Sequence, residues 1–550
     1  MHQNIAAYLP EMAERNPYQR AIIISEGRDQ EGRMMHRHMT YGDLDSQSSA
    51  IARGLLESNF KKGQRVALMI PPSFELFITA FGLFKAGLVP VFVDPGLGIR
   101  SLKVCLNRAR LDHFIGIPKA QLARSILGWN RGSWKEIVTV GGPKLWGRHS
   151  FRSLLDKGLK SELELKFGSP EDAAAILFTS GSTGSPKGAL YSHKNFCAQV
   201  ESLKQQFNIE VGEVDLCTFP LFALFAPAMG MTAVIPEMDF TRPAQVNPDN
   251  IFKAIETFGV ENMFGSPALI KRVAEAAAIE GRKLHTLKRV ISAGAPVSAQ
   301  VIATLSTTLK KGTKVYTPYG ATEALPVAVA HSEMILNETE SLTKKGAGVC
   351  IGKPVPGLEV HIIKVSDDPI GTWSDSLRLP QGIVGEIVVS GPQVTKSYFN
   401  QSDATHKAKI YSEDSRKVYH RMGDLAYFDT EGRLWFCGRK SHRVISSDKT
   451  LYTVPGESIV NAHREIEKSA IVGVGSGKNR RPVLCLQSPG VKSAKDRKKL
   501  SDEVKELCSK HPQTHGIEDI LFHKEFPVDI RHNSKIFREK LSTWAEGQLS

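Results

Sequence analysis

The chain has 550 residues, 41% of them hydrophobic and 23% charged, with a formal net charge of +14. This length is more than one hydrophobic core usually organises, so two or more globular domains are expected. The lysines and arginines are spread along the chain rather than gathered in one patch, which argues against a nucleic-acid partner.

At the amino end, MHQNIAAYLPEMAERNPYQR carries glutamates and lacks an uninterrupted apolar core of signal-peptide length. A cytoplasmic location is therefore expected. Seven scattered cysteines without a CxxC pair fit the same reducing compartment. Further on, RVALMI (65–70), a helical stretch from about 73 to 85 and VPVFVDP (from 89) have the strand, crossover helix and strand of a βαβ unit. Next comes AAAILF, a short apolar strand, followed by TSGSTGSPKG (179–188) and a second short strand, GALYS. The helix SHKNFCAQVESLKQQF begins only afterwards, with Phe196, Val200, Leu203 and Phe207 on one face. TSGSTGSPKG thus joins strand to strand, and fits neither the GxxxxGK[ST] spacing nor the strand-to-helix context of a Walker loop.

Residues 215–237 form the longest run free of charge, punctuated by Pro220, Pro227 and Pro236. A buried apolar segment or pocket wall is expected there, with no transmembrane segment, because prolines need special compensation in lipid. ENMFGSPALIKRVAEAA, LKRVISAGAPVSAQVIATL and TKVYTPYGATE each place an apolar run ahead of a small-residue turn. The turns GSP, SAGAP and YGATE are expected beyond the carboxyl ends of strands, where open α/β sheets bind ligands. From about Gly391 the texture changes, and GDLAYFDTEGRLWFCGRKSHRVI alternates like a hairpin around 430–432. A boundary falls at 438–441. Beyond it lies enough chain for a compact α+β unit, closing on a basic amphipathic helix with Leu500, Val504 and Leu507 on its apolar side. GVGSGKNR (473–480) resembles a Walker loop by eye but lacks its glycine spacing and its Ser or Thr.

TSGSTGSPKG, YGATE, the GD of HRMGDLAYFD, GRK at 438–440 and a lysine near the carboxyl end occur in that order. The set resembles the adenylate-forming superfamily of acyl-CoA synthetases, luciferases and peptide-synthetase adenylation domains. The resemblance implies an α/β fold with a large amino-terminal domain of doubly wound sheets (1–438), a hinge (439–441) and a small mobile α+β domain (442–550). It also implies ATP and Mg2+ as cofactors, and attack of a carboxylate on the α-phosphorus to give an acyl-AMP and pyrophosphate. Two anions must then meet, so positioned cations and backbone donors are needed. By resemblance, Thr179, Ser180, Gly181, Ser182, Thr183, Gly184 and Lys187 cradle the β- and γ-phosphates. Tyr319 lies on the adenine face beside Gly294 and Ala295, Thr322 contacts the α-phosphate, and Glu323 holds the metal. Asp424 accepts the ribose hydroxyls, Arg439 touches the nucleotide, and Lys535 bridges the carboxylate and the α-phosphate when the small domain closes.

Several positions depart from the common pattern of CoA ligases: Ser534 precedes Lys535, Ser441 occupies the hinge, and MGD replaces TGD. These departures put thioester formation in doubt. LFALFAPAMGMTAVIPEMDFTRPAQVNP, PYGATEALPVA, HRMGDLAYFDTEGRLWFCGRKSHRV and FPVDIRHNSKIFREKL instead look like the β-lactone-forming branch of bacterial long-chain olefin biosynthesis. That branch implies a 2-alkyl-3-hydroxy fatty acid substrate whose own hydroxyl displaces AMP, with association to a hydrolase-like decarboxylase and a reductase. Phe222, Phe225 and Met229 are the expected acyl-pocket walls, although core packing explains each of them almost as well. The alternative activity is that of a long-chain fatty acyl-CoA synthetase. His193, just after the phosphate loop, is expected to be structural rather than a base for the hydroxyl.

Overall fold

The fold was read from a computed structural model that describes residues 2–93, 97–129, 134–142, 146–179, 185–446, 449–475, 477, 480–528 and 536–549. Two large sheets organise the first 439 residues. In the smaller, seven strands run in the order His149–Ser150, Glu136–Thr139, His113–Gly116, Arg65–Met69, Val89–Val93, Ala173–Thr179, Lys187–Ser192. All neighbours are parallel except the last pair, an antiparallel hairpin. The expected βαβ unit is here, its helix Phe74–Lys85 capped by Ser73 and buried along nearly its whole circumference. A helix without a polar face belongs inside a core.

The larger sheet has fourteen strands. Arg20–Arg28, Thr232–Ile235, Val214–Cys217, Asn262–Gly265, Arg289–Ser292 and Lys314–Ala321 form its parallel part. At Ala324–His331 the direction reverses, and the sheet continues antiparallel through Val349–Pro354, Leu434–Arg439, Val418–Phe428, Gly385–Ser390 and Glu359–Ile363. One apolar cluster joins the two sheets, with Tyr41, Phe77, Phe81 and Tyr191 among its fully buried side chains. Residues 215–237 are threaded through this region as two short strands and two short helices. Among the described residues no helix is long and apolar enough to cross a membrane.

Beyond Arg439 the chain builds separate small sheets: Val444–Ile445 with Thr450–Leu451, and Lys468–Val474, Arg481–Gln487 and Asp519–Phe522 together. Helix Ala494–Ser509 buries Leu500 and Val504 against them, as expected, but the third buried position is Cys508 rather than Leu507, which is only half-buried. It is not the last element, however: the strand Asp519–Phe522 and the helix Arg538–Leu549 follow, the latter burying Leu541 and Ala545 in a second cluster. Gly438 marks the junction with φ +123°, and a Cβ there would lie 2.7 Å from Thr453 Oγ1. Only glycine lets the helix Thr453–Val460 approach so closely at that backbone angle. All seven cysteines are free and buried.

The sequence reading needs one correction in the YGATE region. The residues Tyr319–Gly320–Ala321 lie within the strand Lys314–Ala321, and only Thr322 and Glu323 form the turn to Ala324–His331. Pro318 and Gly320 suggest a loop locally, but a long antiparallel ladder with Ala324–His331 keeps them extended. GSP and SAGAP do follow the ends of strands Asn262–Gly265 and Arg289–Ser292, as expected.

Candidate active site

The hairpin Ala173–Thr179/Lys187–Ser192 pairs Thr179 with Lys187 across its open end. Ser180, Gly181, Ser182, Thr183 and Gly184 lie outside the described residues, as does the Thr179 side chain. What fixes the hairpin is visible. Pro186 O accepts from Arg108 Nη1 at 2.7 Å, Gly188 N donates to Gln401 Oε1 at 3.1 Å, and Gly188 O accepts from Phe399 N at 2.8 Å. Leu190 N donates to Ser397 O at 3.1 Å, and Ala189 bridges Tyr398. Residues 392–401 therefore run along the hairpin like an added strand. Ser192 caps the following helix His193–Phe207 through a reciprocal capping box with Asn195. Asn195 in turn donates to Pro392 O and Val394 O, which ties that helix to the same segment.

The opposite edge of this segment holds the turn at Thr322 and Glu323. Thr395 N donates to Glu323 O at 2.9 Å, and Thr395 Oγ1 donates to the same carbonyl at 3.2 Å. Tyr398 donates its hydroxyl to Glu323 Oε1 at 2.6 Å. Burial, with the charge of Glu323 beside it, holds the Tyr398 phenol well above its usual pKa, so it stays a donor. Lys187 Nζ lies 5.3 Å from the Tyr398 ring centroid. Tyr191, buried on the hairpin, donates to Thr322 O. The two expected phosphate-facing elements, Lys187 on one sheet and Thr322 with Glu323 on the other, are thus brought together around Tyr398.

A second cluster forms where the strands Lys314–Ala321, Val418–Phe428 and Leu434–Arg439 converge. Tyr319 donates its hydroxyl to Asp424 Oδ2 at 2.6 Å, and Arg439 Nε lies 3.1 Å from Asp424 Oδ1. Asp424 and Arg439 stand opposite each other in the ladder. The Asp424 charge holds the Arg439 guanidinium even more firmly protonated than usual, while burial raises the Tyr319 phenol. Gly294, with φ +96°, and half-buried Ala295 follow the neighbouring strand Arg289–Ser292. A positive φ there suits glycine and lets the chain turn without a side chain over the strand end. Lys535 and Ser534 lie outside the described residues.

Phe222 and Phe225 are half-buried and belong to an aromatic group: Phe222 lies 4.6 Å from Phe264, 5.4 Å from Phe219 and 6.4 Å from Phe225, centroid to centroid. Phe225 reaches Phe196, which stacks on Tyr191 at 4.7 Å. This group therefore abuts the Thr322 turn through Tyr191. Met229 is only 7% exposed and packs in the main core. His193 is buried at the start of its helix beside Phe84, and burial pulls its pKa down to about 4, which leaves it a neutral ring.

Sequence reasoning passed over Thr395, Tyr398 and Gln401, which make most of the contacts between the two halves of the site, and Lys409. Nothing in SYFN or AKI distinguishes those residues locally. An indirect signal was the breadth of polar residues in an otherwise strand-like GPQVTKSYFNQ.

The groups present suit a nucleoside triphosphate with a divalent ion. Mg2+ is a hard cation that binds through one or two carboxylates together with phosphate oxygens. Glu323 offers such a carboxylate: Oε1 is oriented by Tyr398, and among the described residues Oε2 has no hydrogen bond. Lys187 places a cation over the ring of the same Tyr398.

Comparison with known proteins gives the same picture. The profile of the AMP-binding enzymes matches residues 9–399. An olefin beta-lactone synthetase of Xanthomonas campestris pv. campestris is 46% identical over 99% of this chain and 98% of the relative. A long-chain-fatty-acid–CoA ligase of Salmonella typhimurium is 26% identical over 93% of this chain and 91% of the relative. Among solved structures, the amide bond synthetase of Marinactinospora thermotolerans superposes with a TM-score of 0.78 at 22% identity, covering 98% of this chain and 99% of that one. Matched over residues 9–399 and end to end with a relative at 46% identity, the chain belongs to the AMP-binding, adenylate-forming enzyme family.

Proposed function

We infer that this protein is an ATP-dependent β-lactone synthetase acting on a long-chain 2-alkyl-3-hydroxy fatty acid. The observation that carries the reading is end-to-end similarity, 46% over 99% of the chain, to an olefin beta-lactone synthetase, against 26% to the CoA ligase.

The reaction divides into two displacements. In the first, a substrate carboxylate oxygen attacks the α-phosphorus of ATP, the bond to the bridging oxygen breaks, and pyrophosphate leaves. Residues 179–184 with Lys187 would hold the leaving phosphates, and Thr322 the α-phosphate. Glu323 would hold Mg2+, which when bound offsets the negative charge of the phosphates. Tyr319 and Asp424 would orient adenine and ribose, with Arg439 over the nucleotide. Lys535 would neutralise the meeting anions, brought in by residues 442–550 turning about 439–441, so that adenylation waits on closure. In the second displacement the β-hydroxyl oxygen attacks the acyl carbon, the acyl–phosphate bond breaks, and AMP leaves with both electrons of that bond as the hydroxyl proton is lost. Nucleophile and electrophile share one molecule, so ring closure needs orientation rather than a second substrate. Phe222 and Phe225, with the rings around them, would line the site for the alkyl chains. Ser441 and Ser534 fit a chain without a thioester step. Association with a decarboxylase and a reductase of the same pathway belongs to this reading.

The deciding experiment is NMR analysis of products after incubation with ATP, Mg2+ and a synthetic 2-alkyl-3-hydroxy acid, with and without CoA. A β-lactone formed equally in both is expected. A thioester formed only with CoA would overturn the reading in favour of a fatty acyl-CoA synthetase.

A further inference from the structure

Lys409 opens the short strand Lys409–Tyr411 and is completely buried. Its ammonium donates to Thr395 O, approaches Thr395 Oγ1 at 3.4 Å, and lies 6.0 Å from the centre of the Tyr398 ring. Lys187 lies 5.3 Å from the same ring. Across the ladder Lys409 faces His420, on the strand that continues to Asp424. His420 gives Lys409 no countercharge: burial and the two nearby lysines keep its imidazole neutral, and its Nδ1 sits 3.2 Å from Ala408 O.

A lysine in such a place is costly. Burial pulls it down to about 7, with the Glu323 carboxylate opposing the shift. An apolar side chain would fill the volume without that cost, since a buried ion repays its desolvation only through what it organises. Lys409 bonds Thr395 and lies over the Tyr398 ring, and these are the residues that hold Glu323: Thr395 fixes the Glu323 carbonyl through two hydrogen bonds, and Tyr398 fixes the carboxylate. We propose that Lys409 and Tyr398 form a positioning pair for Glu323, aiming its free oxygen at the divalent ion that accompanies ATP.

The proposal rests on the reading that Glu323 is the metal ligand, and the test separates the two. Affinity for a non-hydrolysable ATP analogue is measured by calorimetry with and without Mg2+, on the full chain, for wild type, Glu323→Gln, Tyr398→Phe and Lys409→Met. The readout is the ratio of the two affinities. Loss of the ratio in Glu323→Gln is expected, and its retention there would sink the ligand reading and the positioning pair with it. Groups that orient a metal ligand typically change metal affinity by about 10- to 100-fold. Tyr398→Phe and Lys409→Met are therefore expected to lower the ratio at least about tenfold while the metal-free affinity stays at the wild-type value. A purely structural role would move both affinities or neither. If Glu323→Gln loses the ratio and Tyr398→Phe, which removes one hydroxyl and should fold, keeps it, the proposal is wrong whatever Lys409→Met does.

Discussion

Asp424→Asn tests the assignment of this carboxylate to the ribose. The side chain keeps its shape but turns from a charged acceptor, 4% exposed, into a neutral amide. Hydrogen bonds to an ionised acceptor contribute about 1 kcal/mol more than those to a neutral one. Two ribose hydroxyls would therefore lose about 2 kcal/mol between them, or about 30-fold in affinity. Arg439 is one-third exposed, so water replaces its lost partner and the fold should survive. Ribose contacts are made equally in the ground and transition states, so KM for ATP should rise with kcat nearly unchanged. Calorimetric titration with the non-hydrolysable analogue, beside steady-state pyrophosphate exchange, measures both. An affinity within about threefold of wild type, in a protein with an unchanged melting profile, would refute the assignment of Asp424 to the ribose.

Lys535→Ala should reduce ATP–pyrophosphate exchange by about 100- to 1,000-fold, the usual cost of one group stabilising developing charge, while leaving analogue binding intact. Arg289→Met should destabilise the fold by about 1–3 kcal/mol in denaturant melts, because it leaves the buried Glu213 with Lys288, 3.3 Å away, as its remaining ion-pair partner. Glu213 is 4% exposed and is paired through both oxygens at 2.5 and 3.0 Å. Asp215 is buried among Cys217 and Asn262, and burial raises its pKa from 3.8 to about 6. The unfolded chain therefore loses this proton near pH 4 while the folded chain keeps it to about 6, so stability from this group falls as pH rises between those values. Asp215→Asn should flatten that part of the stability–pH curve and raise stability at pH 7.5, and an unchanged curve would count against the assignment.

What could be read in the sequence was local. Strand, turn and helix follow one another within about thirty residues in the βαβ unit around 65–93 and in the stretches ending at GSP and SAGAP, and periodicity alone carries them. The Thr40, Ser73, Ser192 and Ser298 caps, each a side-chain oxygen accepting from the first turn, sharpen the helix starts. The motif-borne residues Lys187, Tyr319, Thr322, Glu323, Asp424 and Arg439 do fall into one region. Hidden from sequence was anything decided by pairing at a distance: Ala189 with Tyr398, and Thr395 with Glu323. A tyrosine, a threonine and a lysine in an unremarkable strand give no sign of which partner they will meet. YGATE misled for the same reason, since the ladder with Ala324–His331 overrides its turn-forming composition.

The segment 392–401 carries a lesson for anyone recombining enzymes of this kind. It hydrogen-bonds with its backbone to the Lys187–Ser192 strand and through Thr395 and Tyr398 to Glu323, so two elements more than a hundred residues apart share one splint. A chimera that imports a foreign 173–192 hairpin but retains its own 392–401 would place mismatched pieces against each other, misaligning Lys187 and Glu323 together. The aromatic stretch 219–229 touches that splint only indirectly, through Phe196 and Tyr191. Crossover points that keep 173–192 and 392–401 from one parent should therefore preserve the geometry around Glu323.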